Sequence, residues 1–446
     1  MLFLAACAGG PDAPQPNPPV QHDVTESGVV DHALDPATTA GPARDGWVEL
    51  AGGQVASFVP AGHAIDTSRY HFGRGDLEYP HARTPVGVEL TGLRAWQTGD
   101  TLELVSPGVG LAIAGLDVHL RPAANATAIT GQELDWAGVD SPLIDAGRGD
   151  STWIAQLAYR TGANGEYYNV LERAGRADGF ALRDGVASQL RAELAPVAAD
   201  RALPLRWRGS EFARLAAQAG PGTRMSATPA LSLRTLPTVL ASHGDYFSHA
   251  YTYLPSLVEF GPIRGGDDFD ETIRYGNPFA SSAPWTDFVT MIYAMPVSVA
   301  GAGATHALAI QAMPVDALAH GAAFAPAISP VRDVRIDGQP LDTAQRSPAT
   351  APTISWSAPE LGTATNYKVT VQAVHRDRQS VGFTTVASFT TTATSLALPA
   401  SALAGVASYA LTITAISLPA RDLASAPFDG GLPFASIDYV TALVTR

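Results

Sequence analysis

Apolar and polar residues alternate in several short stretches of residues 327–446, as they do in half-buried β-strands. Every second residue is apolar in NYKVTVQAV (366–374) and in SYALTITAIS (408–417). Three further stretches look like strands: TISWSAP (353–359), ASFTTTATSLALP (387–399) and ASIDYVTALV (435–444). Turn residues separate these stretches at the spacing of a β-sandwich. The positions predicted to face inward are Ile354, Trp356, Tyr367, Val369, Val371, Ala373, Tyr409, Leu411, Ile413 and Ala415.

Strand-like stretches also recur through residues 46–326, with few helical patterns between them. VASQLRAEL (186–194) fits the helical and the strand period about equally. We expect one or two β-sandwich-like domains here, divided near residues 196–200. The stretches are WVEL (47–50), QVASFVP (54–60), VGVEL (86–90), TLELV (101–105), STWIAQLAYRT (151–161), EYYNVLE (166–172), LSLRTL (231–236), HAYTYL (249–254) and WTDFVTMIYAM (285–295).

The best helix candidate in this middle part runs from Glu211 to Ala219. Ser210 precedes it as the predicted N-cap, and Gly-Pro-Gly at 220–222 provides the stop. A single short helix among many strand-like stretches leaves the predicted fold class unchanged.

Composition agrees with a β-rich protein of more than one domain. At 446 residues the chain exceeds one ordinary core, and 46% of its residues are hydrophobic. Its 42 Gly and 34 Pro favour turns and short strands over long helices. The sequence therefore predicts an all-β fold of several β-sandwiches, of which the last is a Greek-key sandwich.

Charge and cysteine content exclude several classes of protein. The net charge is −14, and no basic stripe exists that could neutralise phosphates, so nucleic acid is not an expected partner. No stretch of 18 apolar residues predicts a transmembrane helix. The single cysteine excludes an internal disulfide and a cysteine-based metal cluster.

That cysteine lies near the amino end of the chain, in the sequence Leu-Ala-Ala-Cys at residues 4–7. Small residues before a lone cysteine, apolar residues before those and a proline-rich spacer after it resemble the lipobox of bacterial lipoproteins. The resemblance implies that Cys7 carries a lipid that anchors the protein to a membrane, at an extracytoplasmic site in the cell envelope. Residues 1–7 then form a truncated signal peptide, and we expect the true start codon to lie upstream.

The spacer after Cys7 has the composition of a stalk. Five of the nine residues in PDAPQPNPP (11–19) are proline, which favours extended polyproline II. Residues 20–45 are polar and without period. We interpret residues 8–45 as a disordered linker that holds the folded part away from the membrane.

Residues 327–446 resemble a fibronectin type III domain, with another Greek-key sandwich as the alternative. The resemblance rests on Trp356 in the second strand, Tyr367 in the third, Leu398 before a corner and Tyr409 in the sixth. It implies that Trp356 and Tyr367 pack in the core. It also implies that the Tyr409 hydroxyl bonds to the backbone near Ala400–Leu403. A Pro- and Gly-rich insert at 418–433 departs from the family pattern.

One acidic run is a candidate cation site. GGDDFDETIRYGNPF (265–279) places four carboxylates after two glycines, and clustered oxygen ligands suit Ca²⁺. The alternatives are a solvated or turn-forming acidic loop, or a pair of carboxylates for general acid–base catalysis. The candidate metal ligands are Asp267, Asp268, Asp270 and Glu271; no other cofactor is predicted.

Other candidate motifs are weak. His243, Asp245 and His249 could ligate a metal, but eleven histidines in the chain make such spacing common by chance. Arg-Gly-Asp occurs at 74–76 and 148–150, where it also suits an ordinary turn. The serine-hydrolase, zinc-protease and P-loop motifs are absent.

The predicted location and architecture favour a function that does not involve catalysis. The first hypothesis is a cell-envelope lipoprotein that acts as a surface binding, adhesion or structural module, with an unknown protein or polysaccharide as ligand. The alternatives are a secreted hydrolase whose catalytic part is 46–326 and a calcium-stabilised adhesin. The predicted divisions are residues 1–7, 8–45, 46–198, 199–326 and 327–446.

Overall fold

A computed structural model describes the chain from residue 84 to its end, with gaps, and five three-residue strands upstream. The upstream strands are β1 (His32–Leu34), β2 (Trp47–Glu49), β3 (Val55–Ser57), β4 (Ala64–Asp66) and β5 (Tyr70–Phe72). The gaps are residues 108–112, 118–119, 121, 137–143, 146–151, 164, 183–185, 224–228, 238–253, 265, 282–284, 300–301, 348, 377–380 and 420–430.

The middle of the chain contains sixteen strands and two short α-helices. The strands are β6 (Thr84–Thr91), β7 (Thr101–Pro107), β8 (Ile113–Asp117), β9 (Ile129–Trp136), β10 (Ile144–Asp145), β11 (Trp153–Thr161), β12 (Tyr167–Arg176), β13 (Ala181–Leu182), β14 (Ser188–Glu193), β15 (Ala195–Pro196), β16 (Arg201–Arg208), β17 (Ala230–Pro237), β18 (Ser256–Phe260), β19 (Asp268–Tyr275), β20 (Trp285–Val299) and β21 (Gly303–Pro314). The helices are α1 (Gly209–Ala216) and α2 (Val315–Leu318), and a 3-10 helix spans Pro278–Ser281.

The last 120 residues add ten strands, β22 to β31. They are β22 (Arg332–Ile336), β23 (Gln339–Pro340), β24 (Gln345–Arg346), β25 (Thr353–Ser357), β26 (Asn366–Arg376), β27 (Val381–Thr391), β28 (Ser395–Ala397), β29 (Ser408–Ser417), β30 (Phe434–Val440) and β31 (Val444–Thr445), and a second 3-10 helix spans Ala400–Leu403.

The predicted all-β fold is confirmed, since strands make up 57% and helices 7% of the structure, in several sheets. Among the described residues, no helix is long and apolar enough to span a membrane. The stretch 408–417 is a strand over its whole length, and its four predicted inward residues are buried. The ambiguous stretch 186–194 forms strand β14. HAYTYL (249–254) lies outside the described residues except for its last position.

The predicted helix exists, but it spans Gly209–Ala216 rather than Glu211 to Ala219, and Ser210 is not its N-cap. Arg208 holds the N-cap position without a side-chain bond, and Ser210 lies in the first turn. Asp268 of the neighbouring strand β19 accepts from the Ser210 backbone N–H at 2.8 Å and from its hydroxyl at 2.9 Å. The helix is therefore capped from another strand, which local sequence spacing does not reveal.

One long sheet connects the middle of the chain to its end. Its strand order is β4-β27-β26-β29-β30-β21-β20-β17-β18-β12-β11-β7-β8. Strands β21 and β30 pair antiparallel, with Ile310 opposite Ser436 and Gln311 opposite Ala435. The predicted limit at residue 326 is thus crossed by a strand ladder. A second contact crosses it where the Val440 N–H donates to the Ala219 carbonyl, at 2.8 Å.

Two smaller sheets pack on this long sheet and form the cores. The sheet β14-β6-β9 covers β7 and β11, where Leu102, Leu104 and Ile154 are fully buried. The sheet β23-β22-β25-β28 faces the β26–β29 end, where Trp356 and Tyr367 meet edge to face at 5.3 Å. On the other face of β7, Val105 belongs to the main core, the large apolar cluster that contains Trp207 and Trp356. Strand β7 is therefore buried on both faces.

Candidate functional site

The four predicted metal ligands lie at the start of β19 or just before it, and the strand separates them. The burial pattern of β19 alternates, so Asp268 and Asp270 are exposed on one face and Glu271 lies on the other. Asp270 pairs with Arg208 at 2.6 Å, and this hydrogen bond lowers the pKa of Asp270. Asp268 caps α1 as described above. Glu271 accepts from the Ala163 N–H at 3.0 Å.

These carboxylates therefore serve strand, helix and loop contacts in different directions. In the described part of the chain, no three His, Cys, Asp or Glu side chains come together as a metal site. Asp267 contributes its backbone instead: a Cβ at position 209 would lie 2.4 Å from the Asp267 carbonyl oxygen. The glycine at 209 lets the start of α1 approach β19 this closely.

The four residues that carry the fibronectin resemblance are buried in the main core. Trp356 and Tyr367 are 5% and 4% exposed, and Leu398 and Tyr409 are fully buried. Burial raises the pKa of Tyr409 to about 12. They fill the space between the two C-terminal sheets.

The prediction that the Tyr409 hydroxyl bonds to the backbone near Ala400–Leu403 is wrong. This hydroxyl is buried without a partner among the described residues. The Leu403 carbonyl, one of the expected acceptors, receives Arg446 Nη1 at 2.5 Å. The Arg446 backbone N–H also donates to the Ala407 carbonyl, at 3.0 Å. Arg446, at the end of the chain, therefore donates to one of the carbonyls that Tyr409 was expected to use.

Several predicted sites lie outside the described residues. These are the anchor Cys7, the histidine group at 243–249 and the Arg-Gly-Asp sequences at 74–76 and 148–150. Within the linker predicted at 8–45, the structure describes only β1, which pairs with β5.

Sequence analysis missed three buried polar clusters in the middle of the chain. The first surrounds Asp287 on β20, whose side chain is 6% exposed. Its carboxylate pairs with Arg201 and accepts from Asn277 at 2.7 Å. It also accepts from the hydroxyls of Thr235, at 2.8 Å, and Tyr275, at 3.1 Å. Burial and this neighbouring carboxylate raise the pKa of Tyr275.

The second cluster surrounds Asp100, which lies in the turn before β7. Its carboxylate pairs with Arg94 and accepts from Gln156 Nε2 at 3.2 Å and from the Tyr159 N–H at 2.9 Å. Arg94 Nε lies 3.0 Å from Glu172, so one cation joins two acidic groups. These contacts fix the loop between β6 and β7 onto β11 and β12.

The third cluster centres on Glu103 of β7 and Ser256 at the start of β18. The Ser256 N–H donates to Glu103 Oε2 at 3.0 Å, and the Ser256 hydroxyl oxygen lies 3.3 Å from Glu103 Oε1. The same hydroxyl lies 2.7 Å from Glu259 Oε1, and Arg234 Nη2 lies 3.1 Å from that oxygen. Burial and the charge of Glu259 raise the pKa of Glu103 to about 8, against the opposing effects of Arg234 and the Ser256 hydrogen bonds.

The sequence carried no signal for the third cluster. In TLELV, Glu103 lies between two leucines, and this alternation predicts a carboxyl group on the solvent face of a half-buried strand. For Asp287 and Asp100, too, the partners come from distant parts of the chain, so residue spacing does not reveal them.

Comparison with known proteins adds no identity to this geometry. No protein-family model matches the chain. No curated protein sequence matches it either.

Proposed function

We propose that the protein is a non-enzymatic cell-envelope lipoprotein whose strand-built body acts as a surface binding, adhesion or structural module. The observation that carries the proposal is Leu-Ala-Ala-Cys at 4–7, which contains the chain's single cysteine and is followed at once by a proline-rich stretch. A thioether lipid on Cys7 would add about 0.8 kcal/mol of membrane affinity per buried CH₂ group. Several acyl chains would then hold the protein at the membrane permanently.

The polar chemistry of the described body supports a structural or binding role. The carboxylates of Asp100 and Asp287 accept hydrogen bonds from several neighbouring strands and loops. Asp438 does the same at the junction of β21 and β30, where it accepts from the Leu308 N–H at 2.9 Å and from Thr414 at 2.6 Å. In each case the acidic group joins separate elements of the fold. The ligand of such a module would be a protein or a polysaccharide outside the cell.

A fibronectin type III-like end domain is part of this proposal. The strand order supports it, because β22-β25-β28 and β27-β26-β29-β30 are two facing sheets, and the chain crosses between them from β25 to β26, from β27 to β28 and from β28 to β29. The departure is that β30 has β21 as a neighbour, so the last sheet continues into the middle of the chain. The end domain would therefore be built into the body rather than hinged to it.

Fractionation of cells that express Cys7→Ser tests the anchor. We expect the wild-type protein in the membrane fraction and the variant in the soluble fraction, with the intact mass of the wild type showing acylation. Ser106→Ala, which keeps Cys7, is the control and should stay with the membrane. A variant that still sediments with membranes, or a wild type with a free thiol, would contradict the proposal.

One observation favours the second candidate, a secreted hydrolase with its catalytic part in 46–326. Glu103 beside Glu259 is a carboxyl pair in which one pKa is raised, as in acid–base enzymes. Release of reducing ends from bacterial and plant polysaccharides would test it. Activity that disappears in Glu259→Gln, with the fold retained, would support the hydrolase over the binding module.

A further inference from the structure

Glu103 reaches a strand that is not its neighbour. In the long sheet, β11 and β12 lie between β7 and β18, yet the carboxyl group of Glu103 contacts Ser256 at both its oxygens. The sheet must curve for this contact to form. In register with Glu103 on β11 is Ala155, which is fully buried and small enough to leave room for the carboxyl group.

The hydrogens available at this contact are too few for two ionised carboxylates. A serine hydroxyl has one hydrogen, and the Ser256 oxygen lies within hydrogen-bond distance of Glu103 Oε1 and of Glu259 Oε1. One hydrogen directed at Glu259, the nearer oxygen at 2.7 Å, leaves two oxygens facing each other at Glu103. A second hydrogen between Ser256 and Glu103 removes that repulsion.

The charges around the cluster decide which acid carries the second hydrogen. Glu259 has Arg234 as its counter-charge at 3.1 Å and a side chain that is 40% exposed. The remaining nitrogens of Arg234 are engaged by Ser232 and by the Leu254 carbonyl, so the cation serves the Glu259 side. Glu103 is 8% exposed, and among the described residues its hydrogen-bond donors are the neutral groups of Ser256.

We infer that Glu103 holds a proton at neutral pH, donates it to the Ser256 hydroxyl, and acts as a pH-sensitive latch that closes the curved sheet between β7 and β18. Glu103 then donates to the Ser256 hydroxyl, the Ser256 hydroxyl donates to Glu259, and Arg234 also donates to Glu259. The facing charged groups are Glu259 on β18 and Arg234 on β17. On β8, Asp117 is the residue in register with Glu103, and its side chain lies outside the described part.

Ionisation of Glu103 should weaken the latch. The pKa of Glu103 is about 8 in the folded protein and near its ordinary value when the chain unfolds. Between these values the folded state binds one more proton, so stability is highest at the acidic side and falls as pH rises. A difference of one proton changes the folding equilibrium constant about tenfold per pH unit.

Urea unfolding of the full chain from pH 5 to 9, with Glu103→Gln beside it, tests this inference. The amide of glutamine can donate to Ser256 Oγ and accept from the Ser256 N–H without titrating. We expect the ratio of the wild-type to the variant folding constant to fall about tenfold per pH unit between pH 5 and 8. The control Glu193→Gln, at an exposed position of β14, should keep the wild-type pH dependence.

A ratio that does not change with pH would overturn the inference. Carboxyl ¹³C chemical shifts of the wild-type protein give a second measurement that needs no variant to fold. One glutamate carbon should titrate near pH 8. In Glu259→Gln it should titrate at lower pH, because the charge of Glu259 helps to raise the pKa of Glu103. Titration of every glutamate in the ordinary acidic range would contradict a protonated Glu103.

Discussion

The middle of the chain and its last 120 residues are both built from β-strands, but they bury different kinds of side chain. Of the described residues, Asp100, Glu103 and the side chain of Asp287 are buried charged groups of the middle region. In residues 327–446 the inward positions of β26 and β29 are apolar or aromatic, and the Asp438 carboxylate bonds instead to Leu308 of β21 and to Thr414 on the opposite face of β29. The Tyr409 hydroxyl there has no hydrogen-bond partner among the described residues, whereas the Tyr275 hydroxyl in the middle region donates to Asp287.

This difference indicates which interactions determine the fold of each region. Apolar packing fixes the C-terminal sandwich, so alternation along the sequence locates β26 and β29. The predicted strand at 387–399 is wrong as one element, because it contains the end of β27 and all of β28, which belong to different sheets. Satisfied polar clusters fix the middle region, and their partners are far apart in sequence. Both kinds of packing belong to one sheet, because β21 pairs with β30.

Removing a large aromatic side chain from either region should have the largest effect. Trp207 is fully buried and stacks on Phe212 at 4.9 Å, and Trp356 packs edge to face on Tyr367. We expect Trp207→Ala and Trp356→Ala each to lower the free energy of unfolding by about 3–5 kcal/mol. In urea titrations followed by circular dichroism, both should shift the same transition. A shift of only part of the signal by Trp356→Ala would separate the two regions.

Breaking the Asp287 cluster should have the next largest effect. Asp287→Ala leaves Arg201 without its partner and removes the acceptor of Asn277 and Tyr275, so we expect a loss of about 3 kcal/mol. Asp270→Ala is the matched control. It removes an exposed carboxylate paired with Arg208 and should leave the midpoint of thermal unfolding nearly unchanged. Equal effects of the two variants would mean that the buried cluster is not a stabilising element.

Particular residues show how much of the fold and of the polar clusters could be predicted from the sequence. The alternation in 408–417 predicted β29 and its buried face in full. The prediction of the helix cap was wrong because Asp268, which accepts from a backbone N–H of the first turn, comes from β19. The clusters of Asp287 and Asp100 were missed because a carboxylate in a strand or a turn looks exposed until its partners on other strands are known. The predicted Tyr409 hydrogen bond is wrong, and Arg446 donates to the Leu403 carbonyl.

Removing one hydroxyl from each region should give the smallest effect and sharpen the comparison most. Tyr275→Phe loses a hydrogen bond to a carboxylate and should cost about 2 kcal/mol. Tyr409→Phe removes a buried hydroxyl that has no described partner, so stability should be unchanged or slightly higher. Guanidinium titrations at pH 7 measure both. A loss at Tyr409→Phe as large as that at Tyr275→Phe would show that the Tyr409 hydroxyl is bonded after all.

Calorimetry of the full chain tests most directly whether the two regions form one sheet through β21 and β30. We predict a single heat-absorption peak whose calorimetric and van't Hoff enthalpies agree, since strands on both sides of the junction lose their partners together. Two separate peaks, with Trp356→Ala lowering the temperature of only one of them, would contradict a shared sheet.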